Sequence, residues 1–164
     1  MQRGQRDAEF TEFYAARVRA LRRVAYLVVR DWHAAEDVTQ RAMVKVYRAW
    51  PRIQPAGLEA YARRAVVNEA LTHATRRSRD VVVEQVPDRP VPPALEAGPI
   101  ALDAALAALP AQQRAVVALR FVDDLSVAAT AEVLGIAEGT VKSHTSKAMV
   151  TLRRLVPELS EIQE

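Results

Sequence analysis

The chain has 164 residues, half of them hydrophobic, with 23 Lys/Arg, 20 Asp/Glu and no cysteine. It is long enough for one ordinary domain or two small ones, and its composition excludes a disordered chain, a disulfide framework and thiolate metal sites. Charge is unevenly placed: residues 1–80 carry 16 bases and 9 acids, whereas residues 81–164 carry 7 and 11, so a basic half suited to a polyanion is joined to a mildly acidic half.

No apolar run approaches the roughly 18 residues that span a bilayer. The N-terminal MQRGQRDAEF lacks the apolar core of a secretory leader, so a cytoplasmic location without membrane insertion is expected. Abundant Ala, Leu, Arg, Gln and Glu with little Gly predict an all-α fold. In chain order, Phe10, Phe13, Val18, Leu21, Val24, Ala25 and Val28 recur at three- and four-residue steps and predict an amphipathic first helix. Asp31 is placed to cap a second helix that runs to Trp50, before Pro51, with Ala35, Val38, Ala42, Val46 and Ala49 facing inward. Its outer side carries Glu36, Asp37, Gln40, Arg41, Lys45 and Arg48. The acids suit the positive end of the helix dipole, and the mixed polar ridge fits a partner helix.

A third helix is expected from about Leu58 to Arg77, with Ala62, Ala65, Val66, Glu69 and Ala70 close to its inner stripe. Two basic clusters, Arg63/Arg64 and Arg76/Arg77/Arg79, flank Asn68 and Thr72. Such a strip can hold a nucleic-acid backbone while an amide reads a base edge. It is equally compatible with a solvated basic helix end, and no aromatic stacking platform is evident. These helices define a first domain, residues 1–79.

Five of the nine prolines lie between Pro87 and Pro99, so Asp80 to Ile100 reads as a flexible linker and not as an internal loop. At about 3.1 Å per residue its roughly 21 residues extend to about 65 Å, which matches about 19 base pairs of duplex at about 3.4 Å each. The second domain, residues 101–164, begins with IALDAALAAL, and Pro110 is expected to be the first residue of a helix reaching Phe121. Ser126 can cap a short helix to Leu134, Gly135 ends it, and a last helix starts near Glu138.

Two short helices joined by a tight glycine turn predict a helix-turn-helix, whose second helix can enter a major groove. Val141, Thr145, Ala148, Leu152 and Leu155 would seal that helix inward. Thr140, Ser143, His144, Lys147 and Thr151 form another face, flanked by Lys142, Arg153 and Arg154. From Gly139 to Leu155 there are four bases and no acid. A solvated face would mix the two signs in i,i+4 pairs, so this face favours DNA. The motif alone leaves open a repressor, a response-regulator output domain or a polymerase subunit; a protein-binding helical adaptor is a further alternative. Catalysis is not expected. His33, His73 and His144 lack metal-ligand spacing, Glu36 and Asp37 diverge on their helix, and no phosphate loop or nucleophile elbow occurs. No metal or cofactor is expected.

Three segments, in order and spacing, now carry a resemblance: AEDVTQRAMVKVYRAW, YARRAVVNEALTHATRRSR, and LPAQQRAVVALRFVDDLS with LGIAEGTVKSHTSKAMVTLRRL. Together they resemble the extracytoplasmic-function sigma factors, the two-domain promoter-recognition subunits of bacterial RNA polymerase, and are similar to short actinobacterial members. The resemblance implies that Glu36, Asp37 and Gln40, with Arg41, meet the coiled-coil clamp helices of the largest polymerase subunit. It implies that Asn68, Arg76 and Arg77, with Arg63, Arg64 and Thr72, engage the melted −10 strand. Thr140, Lys142, Ser143, His144 and Lys147 would lie in the major groove at the −35 element, with Gln113 and Arg114 on the partner helix and Arg114 near a phosphate. The implied partners are core RNA polymerase, promoter DNA and an anti-sigma factor that the sequence does not identify; the free protein would be a monomer. Two departures stand out. Ala129 occupies a slot where members often carry the Glu of a capping box, and His144 stands where they often carry Arg, a better bidentate donor to guanine.

Overall fold

In the computed structural model, which describes residues 2–83 and 99–161, α1 spans Arg3–Val29, α2 Trp32–Ala49 and α3 Leu58–Val83. Helix α1 stops where Arg30 turns left-handed, at φ 63°, and its N–H bonds the Tyr26 carbonyl at 2.7 Å. Asp31 then acts as the expected cap, its carboxylate accepting from the Ala34 N–H at 3.0 Å. Pro51 cannot continue α2, and two 3-10 turns, Trp50–Arg52 and Pro55–Gly57, lead into α3. The inward stripes meet as their spacing predicts at Val24, Val28, Val38, Val46 and Val66, all buried, and Val67, outside the expected stripe of α3, is buried as well. Phe10 packs edge-on against Tyr47 and Trp50, with ring centres 5.2 and 5.6 Å away, a geometry that favours aromatic pairs.

The second half comprises α4 (Pro99–Ala107), α5 (Ala111–Val117), α6 (Val127–Leu134) and α7 (Glu138–Leu155), closed by a 3-10 turn at Pro157–Glu161. Pro110 is the residue before α5 and not its first residue, and the helix expected to reach Phe121 ends in a π-helical turn at Ala118–Val122. That wider turn shifts the register so that the Asp123 N–H bonds the Ala118 carbonyl at 3.0 Å and the Leu125 N–H bonds that of Leu119 at 2.9 Å. The helix-turn-helix forms as expected. Ser126 Oγ accepts from the Ala129 N–H at 3.0 Å, and Gly135 ends α6 at φ 65°, where a Cβ would be strained. Val141, Ala148 and Leu152 seal α7 inward, but Leu155 is 43% exposed and Val156 is buried next to it. The inner seam therefore stops one turn earlier than the spacing predicts, because α7 ends there.

Among the described residues the fold is all-α. Its two modules are packed together. Ala115, Ala118, Leu119 and Val133 belong to the same buried cluster as Leu21, Val24, Val28, Val66 and Ala70. Helix α3 continues to Val83 and α4 begins at Pro99, so both ends of the expected 80–100 linker are helical. Its central part, residues 84–98, lies outside the described residues.

Two outcomes are expected. Leu119→Ala empties a fully buried site in the shared cluster and should cost about 2–5 kcal/mol, with both modules losing stability together in urea titrations followed by circular dichroism. The hydrogen bond from Ala34 holds the Asp31 carboxyl below its ordinary range. Its contribution is thus complete above the unfolded value, near about 3.9, and is lost as pH falls through the lower folded one. Asp31→Ala should cost about 1 kcal/mol at neutral pH, and the deficit should shrink in acid.

Candidate nucleic-acid interface

The outer ridge of α2 is open to solvent at Glu36, Asp37, Gln40 and Arg41. Gln40 donates to the Tyr14 hydroxyl at 2.5 Å, so α1 fixes its position. Val44, 49% exposed, and Arg48 continue the ridge over a shallow groove floored by Phe10, Met43 and Tyr47. Lys45 does not belong to this free ridge. Its ammonium lies 2.5 Å from Glu69 and ties α2 to α3, which also explains an acid near the inner stripe of α3.

On α3, Arg64, Asn68, Thr72 and Arg76 follow four-residue steps along one exposed strip, with Arg77 beside it. The strip has an aromatic after all. Tyr61, 38% exposed, lines a groove with Lys45, Arg64 and Asn68. Its place seven residues before Asn68, two helical turns, is the signal that would have found it. The first basic cluster divides. Arg63 turns toward the other module, with Nε 2.5 Å from an Asp123 carboxylate oxygen and a second acid, Glu59, at 3.9 Å. Arg64 remains exposed but donates to the Glu132 carbonyl of α6 at 3.1 Å.

Thr140, Lys142, Ser143 and Lys147 are exposed on α7, as the helical arithmetic predicts, whereas His144 and Thr151 are only half-exposed. The buried seam at Val141, Ala148 and Leu152 places the outermost face along Ser143, Ser146, Lys147, Val150 and Arg154 at 100° per residue. Val150 was missed by the polarity criterion, since it is apolar yet 66% exposed, and Ser146, although polar, falls outside the i, i+3, i+4, i+7 spacing from Thr140. His144 sits at the edge of this face with Nδ1 buried. Lys142 lies on the opposite flank, in a groove with Arg120, Phe121, Met149 and Arg153.

Arg114 is placed differently from its expected position near a phosphate. Its guanidinium donates to the Val28 carbonyl at 2.9 and 2.7 Å, and also to the Leu109 carbonyl. The Val28 carbonyl lies in the last turn of α1 and lacks an intrahelical partner, so the second module caps a helix of the first. Burial, and then the neighbouring Arg30 guanidinium, lower the Arg114 pKa from its ordinary value. Arg30 in turn pairs with Asp103 of α4. Among the described residues no cluster of His, Asp or Glu has the makings of a metal site, and no helix is long and apolar enough to cross a membrane.

Residues 13–80 match the Sigma-70 region 2 family and residues 100–152 match Sigma-70, region 4. The chain is 36% identical over 149 residues to the RNA polymerase sigma-E factor of Streptomyces coelicolor, covering 88% of this chain and 84% of that one. It is 35% identical over 155 residues to the ECF RNA polymerase sigma factor SigM of Mycobacterium tuberculosis, covering 90% and 76%. The sigma factor RpoE, solved in complex with the anti-sigma factor NepR from Bartonella quintana, shares the fold with a TM-score of 0.74 and 24% identity over 91% of this chain and 97% of that one.

The Arg63–Asp123 contact is testable. Asp123→Ala removes the acceptor that holds Arg63 and should lengthen spin-label distances between Thr75 on α3 and Ser143 on α7, at a stability cost of about 1 kcal/mol or less. Unchanged distances would assign the packing of the modules to the apolar cluster and the remaining bridges of Arg114, Arg30 and Arg64.

Proposed function

The chain belongs to the extracytoplasmic-function sigma factors of bacterial RNA polymerase, and from that premise we propose how its polar faces divide the work. It binds core RNA polymerase and directs promoter-specific transcription initiation. The observation that carries this is the succession of sigma regions 2 and 4 on one chain, 13–80 then 100–152. The exposed α2 ridge, Glu36, Asp37, Gln40 and Arg41, is the contact for core polymerase, with Val44 adding apolar area at its centre. The α3 strip takes the melted −10 strand: Asn68 and Thr72 reach base edges, Tyr61 offers a ring for stacking, and Arg76 and Arg77 hold phosphates. Arg63 and Arg64 join that strip only when the modules part, since Asp123 and the Glu132 carbonyl hold them otherwise.

At the −35 element, α7 presents Thr140, Ser143, Ser146 and Lys147 to the major groove, Val150 meets a thymine methyl, and Lys142 meets the backbone. His144, at the edge of the face, tunes base preference. Arg114 acts in module packing and not on a phosphate in this arrangement. The protein is not an enzyme, acts in the cytoplasm as a monomer when free, and is a candidate for restraint by an anti-sigma protein, the class of partner seen on RpoE.

Run-off transcription with purified core polymerase and a candidate promoter tests the assignment; failure to associate with core enzyme or to redirect initiation would sink it. Lys142→Ala should weaken −35 duplex binding across all sequences and make the salt dependence shallower by about one unit. His144→Arg should instead change which bases are preferred, by up to about tenfold or more at one position, in a randomised-promoter selection.

A further inference from the structure

The same criterion that singled out α7 applies with more force to a stretch with no role so far. From Phe13 to Arg30 the chain has five arginines and no acid. Three of them, Arg19, Arg22 and Arg23, stand at i, i+3 and i+4 and so share one face of α1, and Tyr26 continues that face at i+7. Arg19 and Arg23 are exposed and Arg22 is half-exposed. None of the three has a carboxylate within ion-pair distance among the described residues, whereas Arg17 and Arg30 do. These three arginines line one shallow depression with Trp32.

Trp32 is 53% exposed, although α2 could have begun with any small polar residue. It is nonetheless held in place. Its ring stacks on Tyr26, with centroids 4.0 Å apart and planes 9° from parallel. Tyr26 in turn is fixed by its hydroxyl donating to Asp103 at 3.4 Å and by the Arg30 guanidinium 5.1 Å from its ring centre. The nearest acid in sequence, Asp31, has its carboxylate engaged by the Ala34 N–H. The result is a positioned indole with a solvent-facing surface, bordered by a row of unpaired guanidinium groups.

We propose that this α1–Trp32 face is an additional single-strand DNA surface, made of residues not assigned to polymerase or to the two promoter elements, although Trp32 lies one turn before Glu36 on α2. The arginines hold successive phosphates and an unpaired base stacks on the outer face of Trp32. Such stacking is sequence-tolerant because every base has a π-face. A duplex does not satisfy the site, because its bases are already stacked on one another. An acidic protein would use the arginines but leaves the indole without a planar partner. The source of the strand, a melted promoter, rests on the function proposed above; the surface itself does not.

The test uses the full chain and oligodeoxythymidylate. The chain has two tryptophans, and Trp50 is buried, so quenching of emission by the oligomer reports on Trp32. Quenching is expected in the unaltered protein and absent in Trp32→Leu, which should also bind about tenfold more weakly. Replacing Arg19, Arg22 and Arg23 together with Gln should weaken binding and make the salt dependence shallower by about 2 units, at about 0.7 per single-strand phosphate. Saturation by the oligomer without any change in emission would overturn the proposal. So would polyglutamate matching the oligomer in affinity and quenching, which would mark an acidic protein as the occupant. Run-off transcription, measured alongside, keeps the two readings apart: quenching without initiation counts against the promoter assignment, and initiation without quenching counts against this surface.

Discussion

The arrangement of the two modules turns on Arg114. Its guanidinium closes the C-terminal turn of α1 by donating twice to the Val28 carbonyl, and it secures the Leu109 carbonyl just before α5. A cation at a helix C-terminus is favoured by the dipole as well as by the hydrogen bonds. Because this charge is half-buried, removing its acceptors would leave it desolvated and unpaired, a far larger penalty than the net worth of any one of the bonds. The cap therefore fixes where α5 can lie. Once α5 is seated, Ala115, Ala118 and Leu119 fall against α1 and α3, and the π-helical turn aims Asp123 at Arg63.

The uneven charge of the sequence takes on a second meaning in this light. The basic first half and the acidic second half are consistent with polyanion binding, but part of that imbalance is satisfied internally. Asp103 and Asp123 of the second module pair with Arg30 and Arg63 of the first. What remains unneutralised is more informative than the total: the α3 strip, the outer face of α7 and the arginine row on α1 each keep bases without nearby acids. Net charge identifies a class of partner, whereas the location of the unpaired charge identifies the surface that meets it.

Local signals in the sequence were reliable where one residue forces one conformation. Asp31 as a cap, Gly135 as a left-handed turn and Ser126 before α6 lie where their chemistry places them. The exposed residues of α2 and α3 were likewise legible from the apolar stripe opposite them. What escaped was long-range or depended on a small rotation. Nothing near Arg114 distinguishes a phosphate ligand from a cap on a helix 86 positions away. Ala115, Ala118 and Leu119 look like the inner face of any amphipathic helix, and the pattern does not say whose core they enter. A polarity criterion on α7 selected His144 and Thr151 over Val150, because it sorts residues by chemistry when the buried seam sets the direction. Tyr61 and Trp32 were overlooked because an aromatic residue in a helix reads first as core.

A closed arrangement that occupies Arg63, Arg64 and Arg114 is not an obstacle to promoter recognition if its stability is modest. The shared cluster is built in part from alanines, which bury little area, and the Arg63–Asp123 pair retains some solvent access, which limits its worth. A partner that binds the parted form better shifts the balance by the difference between its affinities for the two forms, and by no more than that. The α2 ridge stays exposed while the modules are packed, so on the proposed assignment core polymerase has access to it in either form, and promoter DNA would have to compete with Asp123 and the Glu132 carbonyl for Arg63 and Arg64. On that proposed assignment, DNA binding and separation of the modules would be one linked equilibrium, in which each basic group recruited by a phosphate is one withdrawn from the interface.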